Sequence, residues 1–313
     1  MNILFTCVGR RVELIQEFKK NSSDDFSVYV YGTDSSDTAP ALRFCDFQFI
    51  SPLIKDVNYL PFLLKTCEEN KIDLLIPTID TDLIVLSENK ELFAKIGTKV
   101  LVSSAETIKR CRDKRLTGEL FEKAGLCFPT CVDKLENYSS GYPAFIKPMN
   151  GSSSIDAYKA NNPDELAEMA SRVPNYIIQP YIKGEEYTID ILCDFDGTPI
   201  YITPRRRLAI RSGEVAKTEV YQDPVMIDEA KRLVEVMKPV GPITVQLIKD
   251  TNTDWYIEIN PRFGGGAPLS MKAGADSSLA IIDIYRGLNK KYDISAAKNH
   301  SVFCRFDQSI QVK

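Results

Sequence analysis

The sequence predicts an α/β fold for residues 1–104, a doubly wound parallel sheet, followed by a hairpin-rich α+β remainder. Three observations predict it. Up to about residue 104, short apolar runs alternate with helical patterns, which is how βαβ units read in sequence. Beyond that point hairpin signals take over: Asp196-Gly197 and the turn-rich Asp250-Thr251-Asn252-Thr253-Asp254 each join two strand-like runs. At 313 residues, the chain also exceeds what one hydrophobic core usually serves, so several packed units are expected.

Composition narrows the function classes. A hydrophobic content of 44% and a charged content of 26% are those of an ordinary globular protein. A net charge of −4 and a pI near 5.4 argue against nucleic acid or an anionic membrane as partner. No run approaches ~20 apolar residues, and in MNILFTCVGRR the positive charges follow the apolar run, the reverse of a signal peptide; a cytoplasmic protein is expected. The eight cysteines have no paired CxxC spacing, and His300 is the one histidine. Zinc and Ser-His-Asp or Cys-His chemistry are therefore disfavoured, and reduced thiols are expected.

In the first third, strands are expected at Asn2–Val8, Ser27–Gly32, Asp73–Thr78 and Lys99–Ser103, with helices at Tyr59–Asn70 and Leu83–Phe93. Gly9 after the first strand and Asp34 after the second mimic the start of a dinucleotide site. Cys7-Val8-Gly9-Arg10-Arg11 lacks the second and third glycines, which counts against NAD. Arg10 and Arg11 beside a helix start suit an anionic substrate group, and equally suit a solvated helix face.

The middle of the chain carries weaker signals. Glu106–Gly125 has helical spacing and places Asp113 and Lys114 on or between short helices. A strand bearing Lys147 runs into Asn150-Gly151-Ser152-Ser153-Ser154, whose N–H groups and hydroxyls suit phosphates. It is not a Walker A loop, because the lysine precedes the glycine, and alone it also reads as a surface turn. Tyr176–Ile182 is a strand broken by Pro180, hence an edge or a hinge. A hairpin from Tyr187–Phe195 into Pro199–Thr203 delivers Arg205-Arg206-Arg207 at its end, with Arg211 and Lys217 beyond. In an acidic protein this suits a phosphate or carboxylate pocket, while two of the three consecutive arginines equally suit a solvated surface.

The most informative stretch is Ile243–Gly266. Its two runs, Ile243–Lys249 and Trp255–Asn260, form a hairpin; a turn centred on Asn252 pairs Gln246 with Glu258. Alternation puts Tyr256, Glu258 and Asn260 on one face and Trp255, Ile257 and Ile259 on the core face. Two amides and a carboxylate make an oxygen-rich site suited to Mg²⁺, with Arg262 next in line. A half-solvated ribbon carries the same pattern.

Asp113-Lys114, Phe145-Ile146-Lys147-Pro148, Gln179-Pro180-Tyr181-Ile182-Lys183-Gly184-Glu185-Glu186, Gln246 and Glu258-Ile259-Asn260-Pro261-Arg262, in that order, resemble the ATP-grasp superfamily. The likeness is greatest to the synthetase units of the carbamoyl phosphate synthase large chain. It implies a pre-ATP-grasp domain over 1–104, a small lid lobe with connecting helices over 105–182, and a large lobe over 183–313.

The resemblance also implies residue roles. Lys114 and Lys147 would hold the ATP phosphates beneath a lid of Gly151, Ser152, Ser153 and Ser154. Gln179, Tyr181 and Ile182 would form the adenine hinge, and Glu186, or else Glu185, would bind ribose. Gln246, Glu258 and Asn260 would coordinate one or two Mg²⁺, with Mn²⁺ as a substitute, and Arg262 would face the γ-phosphate. Arg205, Arg207 and Arg211 would grip a carboxylate or its acyl phosphate, and Gly9, Arg10, Arg11 and Asp34 would line the substrate side.

The activity implied is an ATP-dependent carboxylate-amine or carboxylate-thiol ligase that works through an acyl phosphate, with small-molecule partners and a homodimer as a family-level expectation. One module without a visible glutaminase triad suggests a stand-alone ligase rather than a carbamoyl phosphate synthase. The rivals are carbamoyl phosphate synthase-like, carboxylase or kinase chemistry on the same module, a non-catalytic nucleotide-binding protein, and an NAD-dependent oxidoreductase.

Overall fold

The computed structural model describes residues 1–150, 156–211 and 213–312. In β1 (Asn2–Thr6), Ile3, Leu4 and Phe5 are all fully buried because the strand is the middle one of a parallel sheet with both faces covered. Its neighbours are β2 (Tyr29–Asp34) and β4 (Leu74–Pro77), with β3 (Phe47–Ile50) and β5 (Lys99–Val100) at the edges, in the order β3-β2-β1-β4-β5. The helices α1 (Val12–Lys19), α2 (Tyr59–Glu69), α3 (Leu83–Glu88) and α4 (Lys90–Lys95) complete this unit.

Two local details differ from expectation. β3 was not among the expected strands; its short Phe-Gln-Phe-Ile run is held at the edge by β2, where the Tyr31 and Phe47 rings stack at 4.6 Å. The single helix expected over Leu83–Phe93 breaks at Asn89, whose amide donates to the Val85 carbonyl and competes with the helical ladder.

Next come α5 (Ala105–Arg112) and α6 (Lys114–Lys123), and then a three-stranded antiparallel sheet of β6 (Ala144–Pro148), β7 (Tyr158–Ala160) and β8 (Tyr176–Pro180), backed by α7 (Pro163–Arg172). The remainder is a six-stranded sheet: β9 (Glu185–Cys193), β10 (Pro199–Arg211), β11 (Glu214–Val220), β12 (Gly241–Lys249), β13 (Asp254–Asn260) and β14 (Val302–Cys304), in the order β13-β12-β9-β10-β11-β14. Helices α8 (Pro224–Met237), α9 (Ala267–Lys272) and α10 (Ser277–Tyr285) complete it.

β10 overturns one expectation. Arg205, Arg206 and Arg207 do not leave the end of a short hairpin, because β10 continues to Arg211 by pairing with β11. Alternation then splits the triplet: Arg206 points away from Arg205 and Arg207 and pairs with Glu185 and Glu219.

The sheet has two different faces. One, carrying Ile189, Val245, Leu247, Tyr256 and Ile259, packs on α8 and on Leu120 and Phe121 of α6. The other carries Asp190, Thr244, Arg205 and Thr218, which are polar and buried, and it turns toward the glycine run 264–266. A further core crosses between the first unit and this sheet: Ile3, Phe5 and Phe18 share it with Phe263, Met271 and Ile281. Among the described residues, no helix is long and apolar enough to cross a membrane.

Candidate active site

The expected pairing of Gln246 with Glu258 is present, but the hairpin reaches it by another route. Below it, Lys249 pairs with Asp254, Ile248 with Trp255 and Leu247 with Tyr256; a β-bulge then lets Ile257 slip out before Gln246 meets Glu258. The extra residue resets the alternation. Tyr256 is therefore on the core face, fully buried with its hydroxyl on Glu229 at 2.9 Å, and not beside Glu258 and Asn260 as expected. Ile257 is correspondingly only half-buried.

Glu258 and Asn260 remain side by side on the polar face. The Asn260 amide donates to Glu258 at 2.6 Å, and its Oδ1 accepts from Arg262 Nη2 at 3.1 Å. Arg262 also donates to the Phe263 carbonyl and forms a 2.7 Å ion pair with Asp80, on the loop after β4. Gln246 meets Arg207 only at 3.5 Å, while Arg207 pairs with Glu186 at 3.0 Å.

Glu258, Asn260 and Asp80 line a cavity of about 90 Å³, together with Lys114, Arg112 and Thr117. Lys114 is placed there by the break between α5 and α6, where Asp113 caps α6 by accepting from the Arg115 N–H. Its Nζ reaches the Met149 carbonyl at 3.4 Å. Lys147 stands on β6 and is 6% exposed. Its ammonium has no hydrogen bond or ion pair among the described residues. Burial, with help from the neighbouring Lys114 charge, pulls its pKa down to about 8, and Glu258 opposes the shift.

β8 pairs with β6 so that Gln179 lies opposite Phe145 and Ile177 opposite Lys147. Gln179 is buried, and its side-chain Oε1 has no hydrogen-bond partner among the described residues. Tyr181 and Ile182 follow the strand end, and the Tyr181 N–H is bonded to the Pro143 carbonyl. Gly184 must be glycine: a Cβ there would stand 2.2 Å from the Lys249 carbonyl oxygen. The expected phosphate loop of Gly151, Ser152, Ser153 and Ser154 lies outside the described residues.

The arginines expected to grip a carboxylate require correction. Arg205 is 1% exposed, and its Nε and Nη2 fork onto Asp190, each at 2.8 Å, with Ser270 and Thr218 as further partners. A guanidinium consumed in this way holds the sheet to the glycine run; a Cβ on Gly266 would lie 2.7 Å from it. Arg211 is largely exposed at the strand end and pairs with Asp307. Asp34 is likewise engaged, accepting the Gly9 N–H at 2.8 Å and the Ser36 N–H at 2.9 Å, which fixes the loop that presents Arg10 and Arg11.

Arg11 is less engaged than these. Its side chain is 20% exposed, its nearest carboxylate is Glu214 at 4.0 Å, and its guanidinium makes no hydrogen bond among the described residues. Burial and the nearby Arg262 and Arg305 charges lower its pKa. Arg305 holds Glu214 at 2.8 Å. Sequence reasoning missed Asp80, Glu214 and Arg305. The position of Asp80 just beyond the C-terminal end of a central parallel strand, where ligands of such sheets gather, was a usable signal.

Comparison with known proteins gives a consistent result. Residues 3–101 match the family model described as "PylC-like, N-terminal domain", and residues 172–304 match "ATP-grasp in the biosynthetic pathway with Ter operon". The carbamoyl phosphate synthase large chain of Thermotoga petrophila is 26% identical over 288 residues, covering 82% of this chain but only 26% of that protein. The chain thus spans about a quarter of the length of this curated relative. Among solved structures, the L-amino acid ligase of Bacillus licheniformis superposes with a TM-score of 0.71 at 18% identity, covering 91% of this chain and 74% of that one. The biotin carboxylase domain dimer of the Hydrogenobacter thermophilus 2-oxoglutarate carboxylase, solved with MgADP and bicarbonate, also gives 0.71, at 15% identity, covering 97% and 74%.

Proposed function

Because this chain is a member of the ATP-grasp superfamily with a PylC-like domain at its N-terminus, we propose that it is a ligase joining a small carboxylate to an amine through an acyl phosphate. The observation that carries this reading is Lys147, a buried ammonium with no hydrogen bond or ion pair among the described residues and only the Phe145 ring near it at 5.9 Å, within electrostatic reach of Lys114 and Glu258. A buried cation of this kind is costly unless an anion answers it. The triphosphate of ATP is such an anion.

Each side chain then has a task. Lys114 and Lys147 hold the phosphates, Gln179, Tyr181 and Ile182 form the adenine hinge, and Glu186 is the ribose candidate once it exchanges Arg207 for the sugar. The donor set of Glu258, Asn260 and Gln246 fits Mg²⁺ or Mn²⁺: it offers three oxygen-bearing side chains and one charge, the sort of incomplete set that Mg²⁺ completes with phosphate oxygens and water. Among the described residues, no group of three or more His, Cys, Asp or Glu forms a self-sufficient metal cage. When bound, the metal would neutralise charge on the transferring phosphoryl group.

Arg262 faces that group, and Arg11, with Arg10 beside it, receives the carboxylate. A carboxylate oxygen attacks the γ-phosphorus and ADP leaves; the amine nitrogen then attacks the acyl carbon, expelling phosphate and losing a proton. No side-chain nucleophile is required, in keeping with a chain that has one histidine. We also propose the unit boundaries 1–104, 105–182 and 183–313, and a homodimer as the assembly.

The test is ATP-dependent phosphate release across a panel of carboxylate and amine pairs. Release should require both co-substrates, and Glu258→Gln should lower turnover by a factor on the order of 10²–10³ with the fold intact by circular dichroism. Near-normal turnover in that variant, or ATP consumption indifferent to every carboxylate, would count against the proposal.

A further inference from the structure

We propose that Asp80 is a positioning residue for phosphoryl transfer: it fixes the Arg262 guanidinium and so makes the N-terminal unit part of the catalytic apparatus. This rests on the reading that the cleft binds ATP with Arg262 at its γ-phosphate end.

The geometry is specific. Among the described residues, the Arg262 guanidinium has three hydrogen-bonded acceptors, Asn260 Oδ1 at 3.1 Å, the Phe263 carbonyl at 3.1 Å and Asp80 Oδ2 at 2.7 Å, while its buried Nε has no hydrogen-bond partner. Asp80 supplies the only charged acceptor of the three, and the only one from outside the 260–263 segment, reaching across 182 positions of sequence. Both partners are well covered, with Arg262 12% and Asp80 18% exposed. The Asp80 backbone is itself fixed, because Arg112 at the end of α5 donates to its carbonyl at 2.6 Å. The carboxylate therefore stands on a braced loop instead of a free one.

Two further observations tie this pair to the chemistry. Asp80 lines the same cavity as Glu258, Asn260 and Lys114, so the ion pair lies at the site and not at a remote seam. It also stands among cations: Arg11 and Arg262 repel one another, and Asp80 offsets that repulsion at Arg11. Without Asp80, Arg262 would keep two neutral acceptors and face the Arg11 charge, which Glu214 alone would then offset. A guanidinium meant to meet developing phosphoryl charge contributes most when its plane is fixed in advance. The Asp80 carboxylate does this with one short, charge-assisted bond.

The test separates positioning from nucleotide binding with two probes, Mg-ADP and Mg-ADP with fluoroaluminate, a mimic of the transferring phosphoryl group. The wild-type protein should bind the second more tightly. Asp80→Ala should leave Mg-ADP affinity within about threefold but cut fluoroaluminate-complex affinity about tenfold or more, and Asp80→Asn, which keeps an acceptor without charge, should fall between them. In an Arg262→Gln background, Asp80→Ala should have almost no further effect, because the residue acts through the arginine.

Equal affinity of wild type and both Asp80 variants for the fluoroaluminate complex overturns the proposal, as does an undiminished Asp80→Ala effect in the Arg262→Gln background. If Asp80→Ala does not fold, the Asp80→Asn comparison decides by the same criteria. A wild-type protein that binds neither probe overturns the ATP reading itself and the proposal with it. One that binds Mg-ADP with no gain from fluoroaluminate overturns the role assigned to Arg262 and the proposal with it, but not the ATP reading.

Discussion

Lys147 shows how a single side chain can carry a functional argument. Its pKa falls from 10.5 to about 8 because burial removes water from the ammonium and Lys114 repels it. A drop of that size costs the unliganded fold on the order of 3 kcal/mol at neutral pH. The sign follows from proton counting: between about pH 8 and 10.5 the folded state holds fewer protons at this site than the unfolded chain, so this group makes stability rise with pH across that window. Lys147→Met should therefore raise the urea midpoint at pH 7 while weakening Mg-ATP binding. In the wild type, nucleotide affinity should decline above about pH 8, and in the variant that decline should vanish. A less stable variant with unchanged affinity would make Lys147 an ordinary structural lysine. Arg205 is the contrasting case: it stands two residues before Arg207 on the same strand, but its charge is consumed by Asp190. Removing one partner of such a buried pair, as in Arg205→Met, should destabilise by about 3–5 kcal/mol in denaturant unfolding.

Elements explain which of these assignments could be read in advance. Glu258 and Asn260 were legible because a period of two keeps them on one face, and Gln246 meets Glu258 as expected only because the bulge offsets a turn that is one residue out of the expected register. Tyr256 was not, because the bulge at Ile257 is chosen by packing, chiefly the burial of the Tyr256 ring against Phe121 at 5.3 Å. The arginine triplet was misplaced for a related reason. Where β10 ends depends on its pairing with β11, and a local propensity reading stops at Pro204. Gly184 offers an element-scale test. Because a Cβ there would press on the Lys249 carbonyl, Gly184→Ala should push β9 from β12 and cost about 1–3 kcal/mol by urea unfolding. An unchanged midpoint would show that the approach of these strands is looser than described.

At the scale of the molecule, the sequence reads as several packed units, and one core is shared between the first of them and the six-stranded sheet. Phe18 of α1 meets Phe263 edge-on at 6.1 Å, and Ile3 and Phe5 share buried contacts with Met271 and Ile281. Such sharing was invisible in sequence because each run looks amphipathic on its own account, whatever it packs against. It predicts that residues 1–104 and the six-stranded sheet unfold together. Fluorescence of Trp255, the one tryptophan, and far-ultraviolet circular dichroism should give coincident urea transitions; two separated transitions would show independent units.

The ion pair between Asp80 and Arg262 and the approach of Arg11 to Glu214 make the same seam part of the cleft. The central claim is that this cleft binds Mg-ATP through Lys147 and Glu258, and calorimetric titration of Mg-ATP into the wild type and the two variants Lys147→Met and Glu258→Gln tests it most directly. Saturable binding to the wild type, weakened about tenfold or more in Lys147→Met and made less dependent on magnesium in Glu258→Gln, is the predicted result. No heat of binding in the wild type, or equal affinity in all three proteins, would contradict it.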